Sequence, residues 1–267
     1  MNTPAATATR PRLTIGVLTL NEERRIAGCL RSAAFADEVI VVDSGSRDRT
    51  VEIARELGAT VHIHADWRGF AAQRNRLLEH ATGDYVFFLD ADEEITPALQ
   101  AEIEAAVRAG GNTVYEVAWE QVAFGRPLTR MRSSGGVVRF FPRRVLSHFE
   151  GMVHEGAVLQ PADVPMRRFK ARMPHYSRES VHGSLVKLAQ YAQLGAAKRL
   201  AAGKRGGIWR GLGSAVGNFI RLYFFQRGFL CGAPGFLHCL FVALECFFRY
   251  VALKYDRELL SEPARRS

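Results

Sequence analysis

The stretch most suited to chemistry is a short apolar run that ends in acids, from Tyr85 to Glu94. An apolar run of this length, bounded by Gly83, is typical of a buried parallel strand, and open α/β sheets bind ligands at the carboxyl ends of such strands. In an extended chain the side chains of Asp90 and Asp92 point to the same side. Both could therefore reach one ligand or one divalent cation.

The same acids have a plainer interpretation, as a solvated loop that caps the helix predicted to begin near Thr96 and Pro97. Four acids fall within the five residues from Asp90 to Glu94. Their mutual repulsion requires a positive group nearby. The other motifs of the sequence are needed to distinguish between the two interpretations.

The composition of the chain restricts the class of protein. Its 267 residues, 48% of them hydrophobic, can form one large domain or one domain plus a substantial appendage. A net charge of +9 favours an anionic partner, namely a nucleotide, a nucleic acid or an anionic membrane. The four cysteines lack metal-ligand spacing and are expected to be free thiols in a reducing compartment. No signal-peptide core occurs in the first dozen residues, so a cytoplasmic protein is expected.

The N-terminal half alternates predicted strands and helices. Strands are predicted at Leu13–Leu20, Glu38–Val42 and Ala59–Ile63, and helices at Asp48–Gly58 and Phe70–His80. This alternation indicates an α/β fold with a parallel sheet. Asn21 is expected to cap the helix after the first strand, with Glu22 and Glu23 in its first turn. The residues expected to meet at the carboxyl edge of the sheet are Thr19, Asn21, Asp43, Asp90 and Asp92.

Common nucleotide-binding loops are absent from the sequence, because it contains neither GxGxxG nor a P-loop. Asp43, at a strand end, could accept hydrogen bonds from a base or ribose beside a tight turn at Ser44–Ser46. Arg74, on the helix aimed at the same edge, could neutralise a phosphate. Taken alone, Asp43 also fits an ordinary turn and Arg74 a surface arginine.

Four segments together resemble the ordered motifs of glycosyltransferase family 2, the inverting enzymes with the GT-A fold. These segments are Thr19–Glu23, Val41–Thr50, Gly69–Asn75 and Phe88–Glu93. The resemblance covers residues 13–176 and implies a Rossmann-like, mostly parallel sheet flanked by helices. Within the family, the chain is most similar to bacterial lipopolysaccharide core β-1,4-glucosyltransferases.

The resemblance also implies roles for individual residues. Asp43 would contact the uracil, Asp90 the ribose, and Asp92 a divalent cation, Mn²⁺ or Mg²⁺, that bridges the diphosphate. The cation and Arg74 would neutralise the leaving nucleotide, and a single displacement needs one general base. The full set expected to bind the nucleotide sugar is Thr19, Asn21, Glu22, Asp43, Ser44, Gly45, Arg74, Asp90, Ala91 and Asp92.

The general base and a further metal ligand are expected in the second half of the chain. By resemblance Glu155 is the expected base and Glu150 the alternative, although His154 and Glu155 also fit ordinary polar residues at a strand end. His175, after a strand predicted at Arg167–Met173, is the candidate that completes the metal site with Asp92. An imidazole ligand favours manganese over magnesium.

The chain is expected to consist of a catalytic domain, residues 11–178, and a C-terminal helical, membrane-associating region, residues 179–267. Helices are predicted at Val181–Ala202, at Ile208–Arg227 and after Pro234. The third has an apolar face, but its apolar run is interrupted too early for a membrane span, which favours a helix lying in the membrane interface. The cations expected near anionic headgroups are Arg221, Arg227, Arg249 and Lys254. The alternative is that these helices pack on the catalytic domain.

The function expected from the sequence is transfer of a sugar, with UDP-glucose as the expected donor, to lipopolysaccharide inner core or another glycolipid. The enzyme would work as a peripheral protein at the cytoplasmic face of a bacterial inner membrane, next to anionic lipids. Nucleic acid is not an expected partner, because the basic residues form no recognisable motif. Two alternatives remain: transfer to a polyprenyl phosphate, and a non-catalytic membrane-surface protein that keeps a sugar-nucleotide fold.

Overall fold

The computed structural model of the chain describes residues 10–132, 136–151 and 156–261. The chain divides into two structural units. The first comprises Met1–Ala118 and Gly136–Met173, and the second comprises Trp119–Gly135 and Pro174–Ser267. The segment 119–135 therefore groups with the C-terminal helices.

Strands and helices alternate through the first part of the chain, as the apolar pattern predicted. In chain order they are β1 (Leu13–Thr19), α1 (Ile26–Ala33), β2 (Glu38–Asp43), α2 (Thr50–Glu56), β3 (Thr60–Ile63), α3 (Phe70–His80), β4 (Tyr85–Asp90) and α4 (Pro97–Ala109). Six further strands follow: β5 (Val114–Ala123), β6 (Arg126–Pro127), β7 (Gly136–Pro142), β8 (Leu146–Glu150), β9 (Gly156–Leu159) and β10 (Met166–Arg178). His175, expected just after a strand, lies inside β10, because this strand continues past Met173.

The described strands form a mixed sheet in the order β10-β5-β7-β4-β1-β2-β3, with β6 paired to β5. The four strands β4, β1, β2 and β3 are parallel, whereas β7 runs antiparallel to β4 and to β5. Strands β8 and β9 form a separate antiparallel hairpin. The parallel part confirms the predicted α/β fold, and the antiparallel part brings the start of β7 to the carboxyl end of β4.

The core of the first unit is built on the two central parallel strands. Ile15 and Val17 of β1 and Val86 and Leu89 of β4 are fully buried. Each such side chain stabilises the fold by about 1.5–3 kcal/mol. Gly16 lets α3 pack directly on β1, because a Cβ at this position would lie 2.1 Å from Cδ2 of Leu77. This close approach fixes α3, and with it Arg74, against the sheet.

The second unit is mainly helical. Its helices are α5 (Val181–Ala201), α6 (Ile208–Ile220), α7 (Gly232–Tyr255) and α8 (Arg257–Ser261), and a π-helical turn, Arg221–Phe225, extends α6. Helices α5 and α6 both pack on α7. A Cβ at Gly211 of α6 would lie 2.9 Å from the carbonyl oxygen of Phe247, so this glycine allows the close approach of α6 to α7.

Helix α7 is longer than the sequence suggested. It starts before Pro234, which the first helical turn tolerates because its missing N–H has no helical partner there. The segment Gly228–Tyr255 has a mean hydropathy of 1.7 over its most apolar window and is long and apolar enough to cross a membrane, on length and composition alone. In that window 39% of the residues are buried within the protein. The apolar run is therefore longer than the sequence indicated, but the core helix of a soluble protein can have the same length and composition, so a helix lying in the interface stays a prediction.

One predicted membrane cation has a different environment. Arg249 of α7 donates to Glu245 at 2.7 Å, and Arg178 lies 3.7 Å from the same carboxylate. Arg249 also covers Gly195 of α5. It belongs to an ion cluster inside the second unit, so its placement near headgroups was wrong.

His238 of α7 makes the stability of the second unit depend on pH. Burial, and then the charges of Arg178 and His175, lower the pKa of His238 to about 4. In the unfolded chain a histidine has a pKa near 6.5, so between these two values the unfolded state binds a proton that the folded state does not. Stability is fully present above about pH 6.5 and falls by about 3 kcal/mol as the pH drops to about 4.

Thermal unfolding followed from about pH 7 to about pH 4.5 checks this prediction. His238→Gln should flatten the pH dependence, whereas His182→Gln, at an exposed position on α5, should leave it unchanged. An equally steep pH dependence in wild type and His238→Gln would contradict the assignment.

Candidate active site

Three of the predicted residues meet at the carboxyl edge of the parallel strands. In the sheet register Thr19 of β1 lies opposite Asp43 of β2, and Leu18 lies opposite Asp90 of β4. Because the strands are parallel, their last residues come to the same edge. Thr19, Asp43 and Asp90 are thus neighbours, as the alternation predicted.

Two buried arginines hold Asp90. Nη2 of Arg74 lies 3.3 Å from Oδ1 of Asp90, and Nη2 of Arg139 lies 2.5 Å from Oδ2. Arg139 also donates to Oε1 of Glu93 at 2.6 Å, and Oε2 of Glu93 accepts from the backbone N–H of Asp90 at 2.9 Å. Arg139 is 3% exposed and Glu93 is fully buried. These arginines are the positive groups that the cluster of acids required.

Arg139 and Glu93 are the two residues that the sequence did not assign to the site. Burial opposes the charge of Arg139, but the carboxylates of Asp90 and Glu93 outweigh it and raise its pKa above the usual range. Arg139 is therefore always charged. The signal that could have found it was the excess of acids at the end of β4, combined with an arginine inside an apolar strand.

The chain turns sharply after Asp90. Its carbonyl oxygen accepts from the N–H of Glu93 at 2.9 Å, so Ala91 and Asp92 occupy a tight turn rather than an extended chain. Ala91 is buried and Asp92 is half-buried. The chain from Asp90 to Asp92 is therefore not extended in the way that the sequence suggested, because the contacts of Glu93 bend it.

The acids do not cap the next helix. Helix α4 is capped by Thr96, whose Oγ1 accepts from the N–H of Leu99 at 3.2 Å, and Pro97 occupies its first position. Its first turn contains no acid. The plainer interpretation of this acidic stretch is therefore wrong.

Asp43 organises the turn that follows β2. It is fully buried; its Oδ1 accepts from the N–H groups of Gly45 (2.9 Å) and Ser46 (2.8 Å), and its Oδ2 accepts from the Ser46 hydroxyl at 2.5 Å. Gly45 has a φ of +95°, which a side chain rarely adopts. The Ser44 hydroxyl accepts from the side-chain amide of Gln73 at 2.8 Å, which ties the turn to α3.

Asn21 joins two loops instead of capping a helix. Its φ of +55° is left-handed; its side-chain oxygen accepts from the N–H of Arg47, and its own N–H donates to the Ser46 hydroxyl, both at 2.8 Å. Helix α1 begins only at Ile26 and has no acid in its first turn, so Glu22 lies before the helix, where its N–H donates to Oγ1 of Thr50. The expected cap was wrong, because asparagine also suits a left-handed residue.

Two of the residues predicted to bind the nucleotide sugar, Arg74 and Thr19, are buried. Arg74 is 7% exposed in its side chain, contacts Asp90 and lies over the rings of Phe88 and Phe149. It supports the carboxylate of Asp90, and its expected contact with a phosphate stays a prediction. The Thr19 hydroxyl is buried and has no hydrogen-bond partner among the described residues.

The segment expected to carry the base follows β8. Asn75 of α3 bonds the backbone of Phe149 in both directions, donating to its carbonyl at 2.9 Å and accepting from its N–H at 2.7 Å. Glu150, exposed at the end of β8, pairs with Gly156 across the hairpin. The expected base, Glu155, and its neighbour His154 lie outside the described residues.

His175 belongs to the second unit, and Asp92 to the first. The ring of His175 lies 4.9 Å from that of Trp119, and its Nδ1 lies 3.3 Å from the side-chain nitrogen of Gln121. The oxygen of Gln121 accepts from the hydroxyl of Ser177 at 2.7 Å, so the same amide contacts both Ser177 and His175. The pairing of His175 with Asp92 stays a prediction.

Within residues 10–132, 136–151 and 156–261, no group of three or more histidine, cysteine or acidic side chains forms a ready-made metal site. A cation at this edge would need oxygen ligands from a bound nucleotide. Magnesium commonly takes one or two carboxylates together with substrate phosphates. The hard carboxylate oxygens of Asp92 fit that arrangement.

A cavity of about 720 Å³ lies elsewhere in the first unit. It is lined by Asn75, Thr82, Gly83, Arg143, Arg144 and His148, among others. Thr82 and Gly83 precede β4, so this cavity is at the amino end of the strand whose carboxyl end carries Asp90. It is therefore not the candidate active site.

Comparison with known proteins agrees with the geometry. The family model described as "Glycosyl transferase family 2" matches residues 14–147, half of the chain. A Rickettsia typhi protein, named only as an uncharacterized glycosyltransferase, is 29% identical over 250 residues, which cover 89% of this chain and 85% of that protein. The lipopolysaccharide core biosynthesis glycosyltransferase LpsC of Rhizobium meliloti is 26% identical over 256 residues, covering 92% and 93%.

A solved structure shares the fold. The mannosyltransferase PcManGT of Pyrobaculum calidifontis, in complex with GDP-Man and Mn²⁺, matches with a TM-score of 0.55 and 19% identity over 94% of this chain and 89% of that one. At this identity the likeness concerns the fold alone. It confirms the GT-A fold class that the motifs implied.

Proposed function

We propose, since the chain belongs to glycosyltransferase family 2, that this glycosyltransferase is an inverting, cation-dependent enzyme that moves a sugar from a nucleotide to a lipid-linked saccharide. The observation that carries the proposal is the acidic edge of the sheet. There Thr19, Asp43 and Asp90 meet, Asp92 lies in the adjoining turn, and the buried Arg139 holds the turn in place.

The donor's nucleoside is proposed to bind between the ends of β1, β2 and β4. Asp43 uses three of its roughly four acceptor positions within its own turn. A base N–H would replace the Ser46 hydroxyl on Oδ2, and the unsatisfied Thr19 hydroxyl would gain a partner. Asp90, oriented by Arg74 and Arg139, would receive the ribose hydroxyls.

The diphosphate is proposed to bind at Asp92. Two arginines already neutralise Asp90, which makes it a weak cation ligand, so Asp92 is the carboxylate that would hold Mn²⁺ or Mg²⁺. A bound divalent cation would neutralise the charge that develops on the leaving diphosphate. Glu93 and Arg139 keep Asp92 at the edge of the sheet, because their contacts close the turn that contains it.

The acceptor is proposed to be lipopolysaccharide core or another glycolipid, and UDP-glucose the donor. Support for the acceptor comes from the relative in Rhizobium meliloti, whose name assigns it to lipopolysaccharide core biosynthesis and which aligns over 92% of this chain. We place the enzyme at the cytoplasmic face of the inner membrane, where such an acceptor would be embedded.

Glu155→Gln tests the proposed chemistry against transfer to a polyprenyl phosphate. A sugar hydroxyl needs a general base, so this variant should transfer labelled sugar to core glycolipid about 10²–10⁴-fold more slowly. The matched variant Glu150→Gln should stay near the wild-type rate. A phosphate acceptor is already ionised, so transfer of labelled sugar to polyprenyl phosphate instead of core glycolipid, at near wild-type rates in both variants, would favour the polyprenyl alternative. A loss of transfer to core glycolipid confined to Glu150→Gln would move the base to Glu150.

A further inference from the structure

The second unit contains a long stretch with charge of one sign. From Ser180 to Leu244 the sequence has eight lysines and arginines and no aspartate or glutamate. This stretch carries most of the net charge of +9. A surface of this kind attracts an anionic partner, and the nucleotide site does not account for it, because that site is built from the first unit.

An exposed apolar stripe runs along one helix of this stretch. We call it the α6 stripe; its members are Trp209, Leu212, Val216, Ile220, Phe224 and Phe225. Most recur every three or four residues and so share one face of the helix. Trp209 is 84% exposed, Phe225 73% and Val216 56%. The opposite face of α6, through Gly211, packs on α7.

Basic residues border the α6 stripe. Arg210 and Arg221 are exposed on the same helix and its extension, Lys204 and Arg205 precede it, and Arg227 follows it. An apolar face that contains tryptophan and phenylalanine, edged by arginine and lysine, is the composition of helices that lie in the membrane interface. The arginines can reach lipid phosphates while the apolar side chains enter the acyl boundary.

We propose that the α6 stripe is the surface by which the protein docks on an anionic phospholipid bilayer. Trp209, Val216 and Phe225 enter the interface, and Arg210 and Arg221 contact the headgroup phosphates. This deepens the proposed function and rests on it, because a lipid-linked acceptor is reached from a bilayer. It also moves the docking surface from α7, where the sequence placed it, to α6, because α5 and α6 cover much of α7.

Charge complementarity selects a bilayer over a second copy of the chain. In a symmetric pair joined through the α6 stripe, Arg210 and Arg221 of each copy would face the same cations of the other. The stretch from Ser180 to Leu244 supplies no acid to pair with them. Anionic headgroups offer the opposite charge over the whole stripe.

Vesicle flotation with the full chain tests the proposal. The protein should bind vesicles of phosphatidylcholine with about 30% phosphatidylglycerol, bind pure phosphatidylcholine far less, and dissociate as salt is raised. Trp209→Ser/Phe225→Ser and, separately, Arg210→Gln/Arg221→Gln should each weaken binding at least about tenfold. Ile63→Ser and Met166→Ser, at similarly exposed apolar positions of the first unit, are the matched controls and should bind as wild type does.

Three readouts separate the outcomes. Circular dichroism checks that each variant is folded. If Trp209→Ser/Phe225→Ser does not fold, Arg210→Gln/Arg221→Gln still tests the proposal. Nucleotide release without vesicles should be unchanged in all variants, so a failure of docking is distinguishable from a failure of the proposed function. Wild-type vesicle binding by both double variants would overturn the proposal, and so would a dimer, seen by light scattering, that Trp209→Ser/Phe225→Ser dissociates.

Discussion

Replacing Arg139 with methionine should lower the free energy of unfolding by about 3–5 kcal/mol. Arg139 is buried and bonds Asp90 at 2.5 Å and Glu93 at 2.6 Å. Without it the fully buried carboxylate of Glu93 loses the guanidinium at 2.6 Å, and Asp90 loses the closer of its two arginine contacts, the other being Arg74 at 3.3 Å. An uncompensated buried charge costs far more than the lost pair was worth.

Denaturant unfolding measures this loss, with two comparisons. Arg143→Met changes an exposed arginine just after β7 and should stay within about 0.5 kcal/mol of wild type. Adding Glu93→Gln to Arg139→Met removes the stranded charge and should recover part of the loss, which a double-mutant cycle quantifies. A cost below about 1 kcal/mol for Arg139→Met would mean that the contacts of Arg139 with Asp90 and Glu93 do not hold the turn.

The arrangement of the first unit could be predicted because its elements follow local patterns. Helix α3 was predicted with the bounds that the structure shows, Phe70–His80, and the strands β1, β2 and β3 were predicted to within a residue or so. Apolar runs bounded by glycine and acids mark buried strands with little ambiguity. The meeting of Thr19, Asp43 and Asp90 then follows from parallel geometry alone.

The partners of those residues could not be predicted, because they depend on contacts between distant parts of the chain. Arg139 lies 49 positions after Asp90 and reaches it only because β7 is antiparallel to β4. The same contact network bends the chain at Ala91 and Asp92, against the extended geometry that the sequence suggested. Asn21 shows a different limit, since one residue type suits both a helix cap and a left-handed loop position.

The C-terminal helices show what periodicity leaves open. It marked α7 as apolar, but it did not reveal that α5 and α6 pack on it, or that Arg249 is paired inside the unit with Glu245. The exposed α6 stripe has the composition of a buried helix face. Only packing distinguishes an exposed apolar helix face from a buried one, and packing depends on contacts between distant parts of the chain.

Asp92→Asn should reduce the release of nucleotide from the donor sugar by about a hundredfold to a thousandfold. The carboxylate is proposed to hold the cation that neutralises the leaving diphosphate, and such stabilisation is worth several kcal/mol, with about 1.4 kcal/mol per tenfold in rate. The amide that replaces it keeps the shape but loses the charge. Asp163→Asn, which changes an exposed acid of the first unit, is the matched control and should release nucleotide at the wild-type rate.

The measurement that tests this account most directly is nucleotide release from a panel of UDP-, GDP- and dTDP-sugars, with manganese, with magnesium and with chelator, for wild type, Asp92→Asn and Asp163→Asn. We expect cation-dependent turnover of one donor by wild type and Asp163→Asn, and loss of that turnover with chelator and in Asp92→Asn. Equal, cation-dependent turnover by Asp92→Asn would contradict the assignment of the cation to this carboxylate. No turnover of any donor, together with no binding of UDP, GDP, dTDP or manganese by calorimetry, would contradict the account as a whole and favour a non-catalytic membrane-surface protein.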